Sequence, residues 1–309
     1  MTMRSSSIKK LSLAFASSAI ALGGLTMNLH AEQQALGGVS LVMQEQCDKM
    51  AGSPYDRSRN QAYQPVSIEQ IDTNAVNACS IAFKDTGNPR FAFQLGRALN
   101  RTEQADAAMA AYETAVKADY SAAKVNLGML LGRIGDQASE FRMYSQAAEA
   151  GNVLAAYNLG VAYRDGLGTD PDAAKAIHWF EFAAANGDDI AAFNLGAIYD
   201  EGQMVPEDNQ MAIAWYDLAA KRGNKDAMIN LGIMFESGEG IAANAQKAAE
   251  LYAQAASLGD KFGAQKLAEM QAAGVASQPS PEVASTGSGF DMLVLGPGDV
   301  TISSSLVDI

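Results

Sequence analysis

The sequence is poor in the residues that carry out most nucleophilic and metal-assisted chemistry. It contains two histidines and two cysteines among 309 residues. His30 falls in an N-terminal segment that we expect to be removed, so His178 is the single imidazole of the mature chain. A Ser-His-Asp triad would depend on His178, and no nucleophile elbow is present to complete it. We therefore predict a protein without catalytic residues, without a cofactor and without a His- or Cys-based metal site.

Positive charge is also scarce. Lys and Arg number 22 against 35 Asp and Glu, which gives a formal net charge of −13. Such a surface repels nucleic acid and anionic membranes, and nucleic acid is excluded as a partner on this basis. Acidic pairs in two loops, Asp170 with Asp172 and Asp200 with Glu201, could hold a weak Ca²⁺. We favour the simpler interpretation that they are solvated loop residues and helix N-caps.

Long hydrophobic runs are missing except near the N-terminus. There a short basic stretch precedes an apolar run over 11–27, and the sequence "NLHA" follows up to Ala31. This order is typical of a secretory signal peptide, so residues 1–31 are predicted to be removed by cleavage between Ala31 and Glu32. An uncleaved transmembrane anchor is the alternative, although the run is short for a bilayer span. We expect a periplasmic or secreted protein with no stable membrane insertion after cleavage.

Both cysteines remain after this cleavage. In an exported chain the natural state of Cys47 and Cys79 is a disulfide. The bridge would close a loop of about 30 residues and stabilise the fold by about 3–4 kcal/mol if it acts on the entropy of the unfolded chain. Two buried free thiols are the alternative. We predict the disulfide, within an N-terminal cap over 32–88.

A phrase centred on Leu-Gly recurs at a nearly constant spacing after this cap. Its glycine is Gly96, Gly128, Gly160, Gly196 and Gly232, and the last four units close at Gly151, Gly187, Gly223 and Gly259. Apolar residues at i, i+3, i+4 and i+7 mark a helical face in each half of a unit, and the closing glycine is typical of a helix end. Each unit is predicted to be two antiparallel helices. Gly and Ala let the helices approach, and an aromatic ring fills the space between them.

These residues resemble the Sel1-like repeat family, a branch of the tetratricopeptide-type helical repeats. The match is carried by "AAYNLGVAYRDGLGTDPDAAKAIHWFEFAAANG" at 155–187. Weaker copies occupy 191–223 and 227–259, and two units closer to the plain tetratricopeptide type occupy 92–121 and 122–152. The resemblance implies an all-α fold, a right-handed α-solenoid of about five helix-turn-helix repeats over 89–260. One helix pair cannot bury its apolar faces alone, whereas stacked neighbours can.

The segments after the repeats differ from them in composition. Residues 261–274 are predicted to form a capping helix, and 275–309 a flexible linker and tail. The tail has two β-prone runs around "GPGD", a turn signal. Whether it is a floppy end or a short hairpin that docks on the repeats or on a partner stays open at this point.

By resemblance to tetratricopeptide repeats, the residue before each Leu-Gly points into a concave groove. These residues are Gln94, Asn126, Asn158, Asn194 and Asn230. An amide both donates and accepts hydrogen bonds, so a row of amides could grip an extended peptide backbone. Arg97, Arg133 and Arg164 fall near the same face and could pair with a carboxylate. The alternative is that the amides bond only within and between repeats.

The resemblance implies a non-catalytic scaffold that binds another protein or peptide in the bacterial envelope. Roles of this kind include regulating a sensor or organising an assembly system. An envelope hydrolase acting on cell-wall substrates is the alternative, and the scarcity of histidine speaks against it. A purely structural spacer is a third hypothesis.

Overall fold

The computed structural model describes residue 38 and residues 40–274, and all regular structure there is helical. The predicted signal peptide, its cleavage point between Ala31 and Glu32, and the tail over 275–309 lie outside the described residues. A 3₁₀ turn at Ile68–Gln70 precedes the second helix. The helices are α1 (40–51), α2 (Ala75–Thr86), α3 (Pro89–Arg101), α4 (Ala105–Lys117), α5 (Ser121–Arg133), α6 (Gln137–Glu149), α7 (Val153–Asp165), α8 (Ala173–Ala185), α9 (Asp189–Glu201), α10 (Asn209–Lys221), α11 (Lys225–Ser237), α12 (Ala245–Ser257) and α13 (Lys261–Ala272). The prediction of an all-α repeat fold is confirmed.

The described residues fall into two compact units, one that ends at Ile134 and one that begins at Gly135. The first contains α1 to α5 and the second α6 to α13. Within residues 40–274, every helix is too short or too polar to span a bilayer.

The core of the first unit is built around the disulfide. Cys47 on α1 and Cys79 on α2 are joined, as predicted, and both are fully buried. Small and aromatic residues from α1, α2 and α3 surround the bridge, among them Ala51, Ala78 and Phe91. The disulfide thus joins α1 to α2 within the N-terminal cap, at the place where the cap packs against α3.

The second unit consists of helix pairs with the same construction. The pairs are α7–α8, α9–α10 and α11–α12, and α13 packs against α12. Each helix from α6 to α13 begins after an Asn or Asp whose side chain accepts a backbone N–H of the first turn. Such N-caps stabilise a helix by about 1 kcal/mol each. The closing Gly187 has a φ of 101°, a conformation that residues with a side chain rarely adopt. This conformation lets the chain turn back after the helix.

In four of the five Leu-Gly pairs the glycine lies directly against an aromatic ring of the next helix. A Cβ added to Gly160, Gly196 or Gly232 would lie 2.7, 2.4 or 2.7 Å from the nearest ring carbon of Phe180, Tyr216 or Tyr252. Gly96 stands in the same relation to Tyr112 in the first unit, at 2.5 Å. These distances are far below ordinary carbon contacts of about 3.5–4.0 Å. The predicted role of glycine and of the aromatic residue in the helix pair is confirmed.

Candidate functional site

The five predicted amides occupy equivalent positions in their helices. Each is the sixth residue of α3, α5, α7, α9 or α11, namely Gln94, Asn126, Asn158, Asn194 and Asn230. Gln94 is fully buried, whereas the four asparagines are partly exposed. We use the name amide face for the surface of the second unit that carries Asn158, Asn194 and Asn230.

Two of these asparagines form a hydrogen bond with the tyrosine fourteen positions earlier. Asn126 donates from Nδ2 to the hydroxyl of Tyr112, at 3.1 Å. Burial raises the pKa of Tyr112 to about 12, and the bond with Asn126 opposes that shift. Burial also raises the pKa of Tyr216, again opposed by a hydrogen bond with the equivalent Asn230. The amide therefore keeps a buried tyrosine hydroxyl hydrogen-bonded.

At one repeat the aromatic residue is Phe180, which has no hydroxyl. There Asn194 accepts instead from the guanidinium of Arg164, with Nη1 at 2.5 Å from Oδ1, and donates to the carbonyl of Ile190 at 2.8 Å. Part of the hydrogen-bonding capacity of Asn126, Asn194 and Asn230 is thus used within the chain, as the alternative interpretation expected. An amide group has two donors and an acceptor with two lone pairs, so one or two bonds leave capacity for a ligand.

The row of amides ends at α13. The position fourteen residues after Tyr252 is Lys266, whose Nζ lies 2.9 Å from Oε2 of Glu236 and 5.8 Å from the centre of the Tyr252 ring. The hydroxyl of Tyr252 donates to the same carboxylate at 2.8 Å. The Lys266 hydrogen bond is the largest influence that lowers the pKa of Glu236. A charged pair thus replaces the amide at the end of the series.

Gln94 and Arg97 do not line an open groove, which corrects the prediction for these two residues. Arg97 is 3% exposed and donates to the carbonyl oxygens of Ala51 and Val66, at 2.6 and 2.7 Å. Gln94 donates to the carboxylate of Asp48 at 3.1 Å. The physical reason is that the cap segment over 47–66 covers this face of α3 and satisfies its polar groups.

Other polar contacts hold the same cap segment. The hydroxyl of Tyr120 donates to Oδ2 of Asp56 at 2.7 Å, and Arg90 lies 3.0 Å from Asp48. Desolvation raises the pKa of Asp56, and the bond from Tyr120 opposes the shift. The Oε1 atom of Gln94 lies 2.9 Å from Sγ of Cys47. That is a contact and not a hydrogen bond, because a disulfide sulfur carries no proton.

The other two arginines of the prediction lie at the surface in different settings. Arg133 is exposed, with Nη1 at 3.5 Å from Oδ1 of Asn100. Arg164 binds both carboxylate oxygens of its neighbour Asp165, at 2.7 and 2.9 Å, in addition to Asn194. Arg164 therefore already has a carboxylate within its own helix.

The candidate Ca²⁺ pairs and the histidine have local roles. Asp172 is the N-cap of α8, and Asp200 accepts from the hydroxyl of Tyr216 at 3.1 Å. Among the described residues, no group of three or more His, Cys, Asp or Glu is arranged to hold a metal ion. His178 is exposed, with its ring 5.2 Å from that of Trp179.

Comparison with protein families bears on the repeated helix pairs. The family described as Sel1 repeat matches residues 141–152, 153–188, 189–224 and 225–260. The chain contains Sel1 repeats. The three complete Sel1 repeats coincide with the pairs α7–α8, α9–α10 and α11–α12. Sel1 repeat proteins generally serve as scaffolds for protein–protein interaction.

Solved structures agree on the fold. A protective antigen of uropathogenic Escherichia coli with an SLR fold is 29% identical, with a TM-score of 0.60 over 68% of this chain. The chain spans about half the length of that antigen, since 46% of it is covered. A Sel1 repeat protein from Oxalobacter formigenes is 23% identical, with a TM-score of 0.58, and covers 67% of this chain and 87% of its own. No curated protein matches the sequence.

Proposed function

We propose that this Sel1 repeat protein is a non-catalytic scaffold that holds another protein or peptide on the amide face. The observation that carries the proposal is the repetition of a partly exposed asparagine at one helical position in α7, α9 and α11. A peptide backbone in extended form presents a donor and an acceptor in every residue. Amides repeated at a constant interval suit such a ligand because they can bond to its main-chain N–H and C=O groups, whatever its side chains are.

The first unit supports the proposal with a case inside the chain. There the equivalent face of α3 holds the cap segment, and Arg97 binds it through two backbone carbonyls. The first helix of a repeat can therefore grip a neighbouring stretch of chain by its main-chain groups. In the second unit the equivalent positions are partly exposed.

We place the scaffold in the bacterial envelope, exported to the periplasm or secreted, where it would regulate a sensor or an assembly system. The buried disulfide supports this location, because such bridges persist in oxidising compartments and are rare in the cytosol. The basic and apolar N-terminal sequence supports it independently.

The test uses a photo-crosslinking residue placed at Ile233, on α11 one turn from Asn230, in cells that make the full chain. We expect a specific crosslinked partner, identified by mass spectrometry, that is lost when Asn158, Asn194 and Asn230 are replaced by Ala. The helical circular dichroism should stay unchanged.

A matched control replaces the exposed amides Gln146 and Gln254 by Ala, since they lie on α6 and α12 and not on the helices that carry the amide face. This control should keep the crosslink. The proposal fails if the triple asparagine variant gives the same crosslink as the native chain while it remains folded.

A further inference from the structure

A hollow in the second unit lies between the first turns of α9 and α11. Phe193 and the exposed Ile190 and Leu258 supply apolar surface, while Asp189, Asn194, Asn224 and Asp226 lie among its polar lining residues. Ile190 is 48% and Leu258 53% exposed. Single exposed apolar residues are ordinary on a protein surface, but here two of them share one hollow with a polar rim and so offer a continuous apolar area to a ligand.

The preceding repeat fills the equivalent place with an arginine. Leu258 is the C-cap of α12, and the residue thirty-six positions earlier is Arg222, the C-cap of α10. Arg222 reaches the preceding helix pair, where Nη1 lies 2.7 Å from the carbonyl oxygen of Ala184 and 3.4 Å from that of Asp188. Leu258 occupies the equivalent position, but its side chain has no hydrogen-bond donor.

The two carbonyls that correspond to those of Ala184 and Asp188 belong to Ala220 and Asn224. Their local geometry is the same: Gly187 donates to Ala184, and Gly223 to Ala220, both at 2.9 Å. Ala184 shows that a carbonyl in this geometry still accepts a guanidinium N–H in addition to its backbone donors. The repeat pattern thus provides a guanidinium binding position at which this repeat has no guanidinium.

The surrounding charge favours a cation. Residues 135–274 contain 20 Asp and Glu against nine Lys and Arg. At the hollow, Asp226 is exposed and Asp189 accepts from Asn224 at 2.9 Å, while the one basic lining residue, Lys225, lies 4.0 Å from Asp260. An arginine stem would cover Ile190 and Leu258, and its planar head can pair with a carboxylate or stack on an aromatic ring.

We propose that the hollow bounded by α9, α11 and Leu258 binds an arginine side chain of the partner, in the place that Arg222 takes in the preceding repeat. This inference rests on the proposed function. The chain's own segment 275–309 is not the occupant, because it has four acidic residues and neither Lys nor Arg. A second copy is disfavoured by its net charge of −13.

The direct test titrates Nα-acetyl-arginine amide into the native chain and follows the methyl signals of Ile190 and Leu258 by NMR. We expect saturable shifts, and binding of the citrulline analogue, which has the same shape without the charge, weaker by about tenfold or more. Equal binding of the two compounds, or no saturable shift at these methyls, overturns the proposal.

Two variants locate the site. Leu258→Arg fills the hollow from within and should abolish the Ile190 shift, while circular dichroism confirms the fold. Asp226→Asn should weaken binding, whereas Asp170→Asn removes a charge from the loop between α7 and α8 and should not. If Leu258→Arg does not fold, exposed Asp226→Lys tests the same position, and unchanged binding of arginine by it rejects the site.

Failure of this inference and failure of the proposed function are distinguishable. If the chain binds the arginine amide in the hollow but gives no crosslink at Ile233, the arginine site is supported and the proposed scaffold function is rejected. If a partner crosslinks equally to the native chain and to Leu258→Arg, the scaffold function is supported and the arginine site is rejected.

Discussion

Replacing Gly196 by Ala tests the idea that contact between a glycine and an aromatic ring sets the spacing of a helix pair. The added Cβ would lie 2.4 and 2.6 Å from Cδ1 and Cε1 of Tyr216. Tyr216 is 1% exposed, and its hydroxyl donates to Asp200 at 3.1 Å, so the ring is held on all sides. Either the ring or the two helices must move by about 1 Å to restore a normal contact.

Two effects of opposite sign determine how much Gly196→Ala changes the free energy of unfolding. Overpacking of this kind costs about 1–3 kcal/mol, and a fixed ring places the cost near the upper end. Alanine in place of glycine returns about 1 kcal/mol of helix propensity. We expect a net loss of about 2 kcal/mol in the free energy of unfolding. Urea unfolding followed by circular dichroism at 222 nm measures it.

Two further variants separate these effects. Ala197→Gly, at the next and half-exposed position, measures propensity alone and should cost about 1 kcal/mol. In a Tyr216→Leu background the ring is gone, and Gly196→Ala should cost about 0 kcal/mol or become stabilising, which gives a coupling energy of about 2 kcal/mol. The reasoning is refuted if Gly196→Ala is as stable as the native chain when Tyr216 is present.

Three other outcomes follow from contacts of single residues. Replacing Cys47 and Cys79 by Ala should lower the unfolding free energy of the first unit by about 3–4 kcal/mol, and dithiothreitol should have no further effect on that variant. Burial raises the pKa of Asp56, so the folded state holds this proton more tightly than the unfolded chain, and the group's contribution to stability falls as pH rises through its folded pKa. Asp56→Asn should therefore flatten the pH dependence of the melting temperature above the ordinary pKa of an aspartate, and an unchanged profile would contradict this. Arg164→Ala removes the donor to Asn194 and should cost about 1 kcal/mol, and less in a Phe180→Tyr background, where a hydroxyl becomes available to the amide.

The repeated helix pairs could be predicted because their signals are local and periodic. A helix pair requires glycine at the crossing and an aromatic residue opposite, and Gly160 and Phe180 recur as equivalents at the same interval in the following repeats. The disulfide followed from the presence of two cysteines in a chain whose sequence predicts export.

The covering of α3 could not be predicted in the same way. Arg97 binds Ala51 and Val66, which are 46 and 31 residues away, and Tyr120 reaches Asp56 over 64 residues. Those contacts involve residue types that also suit a solvated loop, and no period marks them. The hollow beside Leu258 was also missed, although the departure from Arg222 at the equivalent position was visible in the sequence.

Lys266 has a consequence for how the molecule can be lengthened. Because it pairs with Glu236 where an amide side chain stands at the equivalent position of α3, α5, α7, α9 and α11, α13 departs from the pattern that another helix pair would meet between repeats. A duplicate of residues 189–224 inserted after Asn224 would meet the same neighbours on both sides and should yield a longer, folded chain. The same duplicate joined after α13 would meet a lysine in place of an amide, so lengthening by duplication should be tolerated between repeats and not after α13.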